Sequence, residues 1–238
     1  MEPAPGRTLR RSGWYALVHD HGQTWAAVER IRLHEHLVDD AVAEVRSILA
    51  GSAERCSWWL TERSTPLDLE ERLFAAGLDR IEDDYLHAAM LLTSEPPAFD
   101  GVEVRQVATL EEFTEARSLA IAAFANPHQR VPTDEEIAVE WERGLDPTFA
   151  AWLDGRMASV GRAIFTSAGT YLIGGTTAAW ARGRGAYRAV VRARWDAAVE
   201  RGTPALAVGA GPMSRPILER LGFEQVLQFR RLELLVTA

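Results

Sequence analysis

The chain has 238 residues, enough for one generous core or two small ones, since domains usually run to roughly 100 to 200 residues. Its composition, 47% hydrophobic and 25% charged, is that of an ordinary globular protein and excludes disorder as the default state. A formal net charge of -8 would repel a polyanion unless a basic patch were segregated on one face, so no nucleic acid is expected as a partner.

Residues 1–13, MEPAPGRTLRRSG, are polar and carry Pro and Gly, which reads as a flexible tail. They lack the apolar core of a signal peptide, and no later apolar run reaches about 18 residues, so neither secretion nor membrane insertion is expected. Cys56 is the single cysteine and no Cys/His cluster has zinc-site spacing; a reducing cytoplasm and no metal follow as expectations.

TWAAVERIRL (24–33) alternates as a strand, and EHLVDDAVAEVRSILAG repeats apolar residues at helical spacing before Gly51. CSWWLTE reads as a buried strand in which Trp58 and Trp59 face opposite ways. STPLDLEERLFAAGL follows as a helix capped by Ser64 or Thr65, with Pro66 in its first turn and Gly77 as its stop, and DDYLHAAMLLT is another strand. SEPPAFDG (94–101) has no periodicity and reads as a linker. Beyond it come a strand VEVRQVA, an amphipathic helix LEEFTEARSLAIAAFA, and a loop leading into an acidic helix over NPHQRVPTDEEIAVEWERGLD. Strands follow at TFAAWLDG, RMASVGRAIFTSAG and TYLIGGTTAAW, then a glycine-rich turn, a helix from about Ala186 to Arg201, a strand PALAVGA, a helix SRPILERLG and a last strand near LQFRRLELLV.

Two halves share this order. Gly51, the strand near Trp58, Pro66 and Gly77-Leu78 have counterparts about 150 residues on, at Gly202, the strand near Leu206, Pro216 and Gly222-Phe223. The expected organisation is the tail, a degenerate copy over 14–93, the linker over 94–101 and a complete copy over 102–238.

The stretch AWARGRGAYRAVVRARWDAAVERG (179–202) carries the chemistry. A strand ending in close glycines and running into a helix leaves first-turn N–H groups without intrahelical partners, and the helix dipole makes that end attractive to anions. It is not a P-loop, because no Gly-Lys-Ser/Thr occurs, and GRGAYR has Arg188 where a dinucleotide fingerprint needs its third glycine. Arg188 and Arg192 share a helix face; Arg192, paired with Asp196, and Arg194 read as solvated surface arginines.

Arg182-Gly183-Arg184-Gly185-Ala186-Tyr187 resembles the R/Q-x-x-G-x-G/A loop of the GCN5-related N-acetyltransferases, the GNAT superfamily. The preceding strand, the long helix, Gly202, the next strand and PILERLGF stand in register with the family over 102–238. The resemblance implies an α/β (α+β) fold with a mixed, mostly antiparallel sheet flanked by helices, here as two GNAT-like halves. It implies acetyl-CoA as co-substrate, its pantetheine arm against Thr176, Thr177 and Ala178 and its pyrophosphate on the backbone from Gly183 through Gly185, Ala186 and Tyr187 to Arg188, with Arg182 and Arg184 adding charge. The implied activity is transfer of an acetyl or other acyl group to an amine of a small molecule or peptide by direct attack.

The family pattern is departed from at Tyr187, where it has Gly or Ala, at Ala179, Gly211, and at Leu218, where a tyrosine usually protonates the departing thiolate. Ser214 is a nearby hydroxyl that also suits a helix N-cap. A base would come from His128, Asp134, Glu135, Glu140 or Glu142, or act through water. The acidic 134–142 segment suggests a cationic acceptor. The vacant acid position motivates the alternative, a CoA-binding pseudoenzyme or scaffold. In the first half the equivalent of the loop is RLHEHL, without glycine, where His34, Glu35 and His36 read as surface polar residues. A monomer and a homodimer are equally compatible with the sequence.

Overall fold

The computed structural model describes residues 7–20, 25–81, 86–99, 101–124, 131–144 and 146–236. In chain order the strands are β1 (Arg7–Arg11), β2 (Ala16–Asp20), β3 (Trp25–Glu29), β4 (Arg55–Thr61), β5 (Leu78–Arg80), β6 (Leu86–Leu92), β7 (Glu103–Gln106), β8 (Thr148–Leu153), β9 (Arg156–Thr166), β10 (Gly169–Thr177), β11 (Leu206–Ala210) and β12 (Glu224–Leu235). The helices are α1 (Val38–Leu49), α2 (Leu69–Ala75), α3 (Leu110–Phe124), α4 (Asp134–Arg143), α5 (Ala186–Glu200) and α6 (Arg215–Arg220). The chain forms two compact units, Met1–Ala89 with Val226–Ala238, and Met90–Gln225.

In the first unit the sheet runs β1-β2-β3-β4-β12, with β5 also on β12; β3 and β4 are parallel and the other pairs antiparallel. The expected tail is a strand over Arg7–Arg11, since its backbone groups pair with β2 from Arg7↔Asp20 to Arg11↔Ala16. α1 buries Val38, Ala41, Val42, Val45 and Leu49, one stripe at helical spacing, against Trp58, Leu60 and Leu73. The sequence-expected final strand, β12, inserts Leu232 and Leu234 into this same core. Its intervening Glu233 is held by Arg55 at 2.7 Å and Arg231 at 3.3 Å. The last strand thus belongs with the first 89 residues, a pairing that the linker-based halves do not anticipate. Trp58 is fully buried, while Trp59, on the opposite face, meets Phe229 and His87 edge-on at 5.0 and 5.3 Å.

α2 starts later than the capping pattern suggests. Its N-cap is Asp68, because Ser64 Oγ accepts from the Thr61 N–H (3.0 Å) and Thr65 Oγ1 donates to the Leu33 carbonyl (3.2 Å). Gly77, at φ +88°, ends that helix as expected, in a conformation that favours glycine.

In the second unit the order is β7-β8-β9-β10-β11, antiparallel except for the parallel pair β10/β11. Alternation along β8 sorts its two cores. Ala150 packs with Val160, Phe113 and Ala116 on the α3 side, whereas Phe149 and Ala151 pack with Ala163, Ala186 and Val190 on the α5 side. α4 opens with a complete capping box between Thr133 and Glu136. The expected repeat is visible in topology: β3-α1-β4 and β10-α5-β11 are both parallel strand pairs joined through a helix. Within the expected linker, Arg192 of α5 bonds Glu95 (2.6 Å) and the Pro96 carbonyl (3.0 Å).

Candidate functional site

β10 and β11 run together for only three residue pairs, Thr170↔Leu206 to Leu172↔Val208, and then part. β10 continues along β9 to Thr177↔Ser159, with a bulge between Ile173 and Thr176 where Gly174 takes φ +61°. Thr176 and Ala178 spend backbone groups on β9: the Thr176 carbonyl accepts from Ser159 Oγ (2.6 Å) and the Ala178 N–H donates to the Ala158 carbonyl (2.9 Å). Alternation then turns the N–H and C=O of Thr177 toward the edge that β11 has left.

A single 3-10 turn over Ala179–Ala181 follows, then Arg182, Gly183 at φ +75° and Gly185 at φ +84° as the N-cap of α5. Gly185 has no side chain to cap with, and the first backbone bond of the helix is Ala189 N–H to the Gly185 carbonyl (3.1 Å). The N–H groups of Ala186, Tyr187 and Arg188 are therefore the open donors of the first turn. A Cβ at Gly183 would meet open space; at Gly185 it would run into the ring of Phe99, brought there by the 94–99 segment.

The loop arginines divide by their partners. Arg184 is paired with Asp154 at 2.9 Å, and it and Arg156 lie over the Trp180 ring. Arg182 and Arg188 are exposed and make no ion pair with a described residue. Arg192 pairs with Asp196 at 2.8 Å, as its i,i+4 spacing suggests.

Arg194 corrects the surface reading. It is fully buried, donating from Nε to the Val190 carbonyl (3.1 Å) and from Nη1 to the Arg162 carbonyl (3.2 Å), with its Nη2 meeting no acceptor among the described residues in good geometry. Burial lowers the affinity of its guanidinium for a proton, which contact with Tyr187 partly offsets. The hydroxyl end of Tyr187 is buried in turn, and burial raises its pKa while Arg194 opposes that rise. Two glycines make the room: a Cβ on Gly161 would lie 2.7 Å from Arg194 Nη1, and one on Gly175 would lie 2.9 Å from Tyr187 Cε2. Tyr187 thus points beneath the β10 bulge. The signal in the sequence is two glycines on adjacent strands matched by two large residues one helix face away.

On the other face of the sheet a cavity of about 180 Å³ lies against Gly174, walled by α3, Thr148 and Arg162. Glu140 is turned to this place by α4. Its two oxygens meet Arg117 Nε at 3.1 Å and Arg162 Nη1 at 3.0 Å, so it is engaged by cations. Asp134, Glu135 and Glu142 are exposed, and His128 lies outside the described residues. Leu218 is wholly buried in α6. Ser214 occupies the N-cap position of α6 but makes no cap bond; its hydroxyl donates to the Gly211 carbonyl at 3.3 Å. In the first unit His34, Glu35 and His36 are exposed, with the two imidazoles stacked at 5.8 Å. Among the described residues no group of three or more His, Cys, Asp or Glu is placed to hold a metal, and no helix is long and apolar enough to cross a membrane.

No family model and no curated protein matches the sequence. Solved structures match nearly its whole length. A GCN5-related N-acetyltransferase from Kribbella flavida is 18% identical with a TM-score of 0.68, the match covering 96% of this chain and 89% of that one. A tandem GNAT protein from the clavulanic acid biosynthesis pathway is 12% identical with a TM-score of 0.63, covering 99% and 85%. A functionally unknown conserved protein from Staphylococcus epidermidis is 11% identical with a TM-score of 0.70, covering 98% and 95%. The chain has the GNAT fold in its tandem arrangement.

Proposed function

We propose that the second unit binds an acyl-coenzyme A and that the protein transfers the acyl group to an amine. The observation that carries this reading is the parting of β10 from β11 immediately before a glycine loop that opens the first turn of α5. The loop fits a pyrophosphate. Gly183 faces open space, Gly185 adds no side chain, three N–H groups converge at the positive end of the helix dipole, and Arg182 and Arg188 stand exposed beside them. Thr177 offers one N–H and one C=O at the strand edge for an amide arm.

Bound acyl-CoA supplies an activated thioester, so no nucleophilic side chain is required and positioning of the amine carries much of the rate. Buried Leu218 cannot protonate a leaving thiolate. The thiolate of CoA is a weak enough base to depart without a donor at that position.

Calorimetric titration with CoA, followed by an amine panel with acetyl-CoA and free-thiol detection, tests the proposal. Micromolar binding with turnover of at least one amine is expected. Absence of CoA binding overturns it, and binding with no turnover leaves only a CoA-holding protein.

A further inference from the structure

We propose that the acyl group of the bound thioester is an uncharged chain of about four to six carbons, longer than acetyl, seated in the cavity beside the β10 bulge. The proposal rests on the acyl-transfer reading above and names the acyl-donor class for that site.

The edge of β10 that β11 has left leads from Thr177 back to the bulge between Ile173 and Thr176. An amide arm that rises from the glycine loop and pairs with Thr177 directs its thioester toward that bulge. From there an acyl chain can turn to either face of the sheet. The α5 face is filled. Tyr187 packs under Gly175, where an added Cβ would lie 2.9 Å from its ring, and Arg194 is fully buried under Gly161. On the α3 face Gly174 has no side chain to bar the way, and even a Cβ there would come no closer than 3.9 Å to Arg162 Nε. Beyond Gly174 lies the cavity.

Its walls suit a hydrocarbon. Ala116, Ala120 and Ile121 of α3 face Val160 and Gly161 of β9 across it, and the stems of Arg117 and Arg162 extend the same lining. Both arginines are already matched in charge. Glu140 lies 3.1 Å from Arg117 Nε and 3.0 Å from Arg162 Nη1, and the buried Asp146 side chain lies 4.0 Å from that same Nη1. Two cations against two carboxylates leave nothing to hold an ion, so an ammonium or a carboxylate entering here would lose hydration without gaining a counter-charge. An alkyl chain meets no such cost. The cavity measures about 180 Å³, slightly more than an apolar protein cavity of about 150 Å³ that takes up benzene, so the room ends at about six carbons. Each methylene buried in it strengthens binding about fourfold.

The test needs no acceptor. Calorimetry on the full chain compares CoA with acetyl-, butyryl-, hexanoyl- and decanoyl-CoA. We expect hexanoyl-CoA to bind at least tenfold more tightly than acetyl-CoA, butyryl-CoA to fall between them, and decanoyl-CoA to gain nothing over hexanoyl-CoA. Ala120→Leu fills the cavity, so the hexanoyl-to-acetyl preference is expected to fall at least fivefold. Ile121→Ala enlarges it, so the decanoyl-to-hexanoyl ratio is expected to rise at least threefold. Each ratio is taken within one variant, so a general loss of folded protein does not imitate it, and should Ala120→Leu not fold, Ile121→Ala decides. Equal binding of acetyl- and hexanoyl-CoA overturns the proposal, as does affinity that climbs evenly through decanoyl-CoA, the mark of unspecific adsorption. Ratios unmoved by both variants overturn it too. Binding of hexylamine that Ala120→Leu weakens, with no acyl-length preference, would give the cavity to the acceptor instead. Absence of any CoA binding fails the acyl-transfer reading together with this one, whereas CoA binding without a chain-length gain fails this one alone.

Discussion

Gly161→Ala probes the packing beneath the β10 bulge. The added methyl would stand 2.7 Å from Arg194 Nη1 and 2.9 Å from its Cζ, too close for either to remain. The guanidinium is the end of a flexible chain, but it is fully buried and tied to two carbonyls. Shifting it breaks the Nη1 bond to the Arg162 carbonyl, and a bond to a charged group contributes about 1.5–3 kcal/mol. Overpacking adds about 1–3 kcal/mol, and partial relaxation brings the expected cost to about 3 kcal/mol. For a chain of this size that lowers Tm by roughly 6–12 °C, readable by circular dichroism. Arg194→Met removes the obstruction, so the double variant is expected to recover about 2 kcal/mol relative to additivity. A Tm change below about 2 °C for Gly161→Ala would refute the reasoning, as would an equal loss in the Arg194→Met background.

Gly185→Trp is expected to abolish CoA binding, because its side chain displaces Phe99 and covers the helix start; unchanged calorimetric affinity in the folded variant would show the loop to be misread. Leu218→Tyr is expected to lower Tm without raising turnover, since Leu218 is wholly buried and overpacking costs about 1–3 kcal/mol. Hydrogen bonds from Arg105, and then from the Ala108 N–H, hold the Glu112 carboxyl at about 2 against an ordinary 4.5. The stability this contributes is present above pH 4.5 and is lost as pH falls toward 2, so the Tm deficit of Glu112→Gln should vanish over that window in an acid titration. Burial pushes the Cys56 thiol up to about 12, so a thiol-reactive disulfide should label no protein thiol at pH 8 until the chain is unfolded. The same inertness keeps Cys56 out of the free-thiol readout.

The glycine loop was legible because its spacing is local: the end of the strand at Thr177, two glycines and the helix start at Ala186 follow one another closely, and each announces itself by period or punctuation. Trp58 and Trp59 were legible for the same reason, through alternation along one strand. Arg194 was not. Its spacing on α5 looks like that of a solvent-facing arginine, and its burial depends on a missing Cβ at Gly161, on another strand. Ser64 and Thr65 look like caps, but the Thr61 N–H and Leu33 carbonyl claim their hydroxyls first. The role of Glu140 was hidden similarly, since its acidic surroundings suggest an exposed face while Arg117 and Arg162 arrive from α3 and β9.

The assignment of β12 to the first unit has a consequence for biosynthesis. Domains generally form in order as they leave the ribosome. Here the earlier-made sheet cannot bury β4 with its full partner until residues 226–236 have been synthesised, long after the glycine loop has emerged. Nascent chains halted within α5 would carry an open β4 edge, and cutting the gene between residues 94 and 101 would separate the first unit from the strand that closes it.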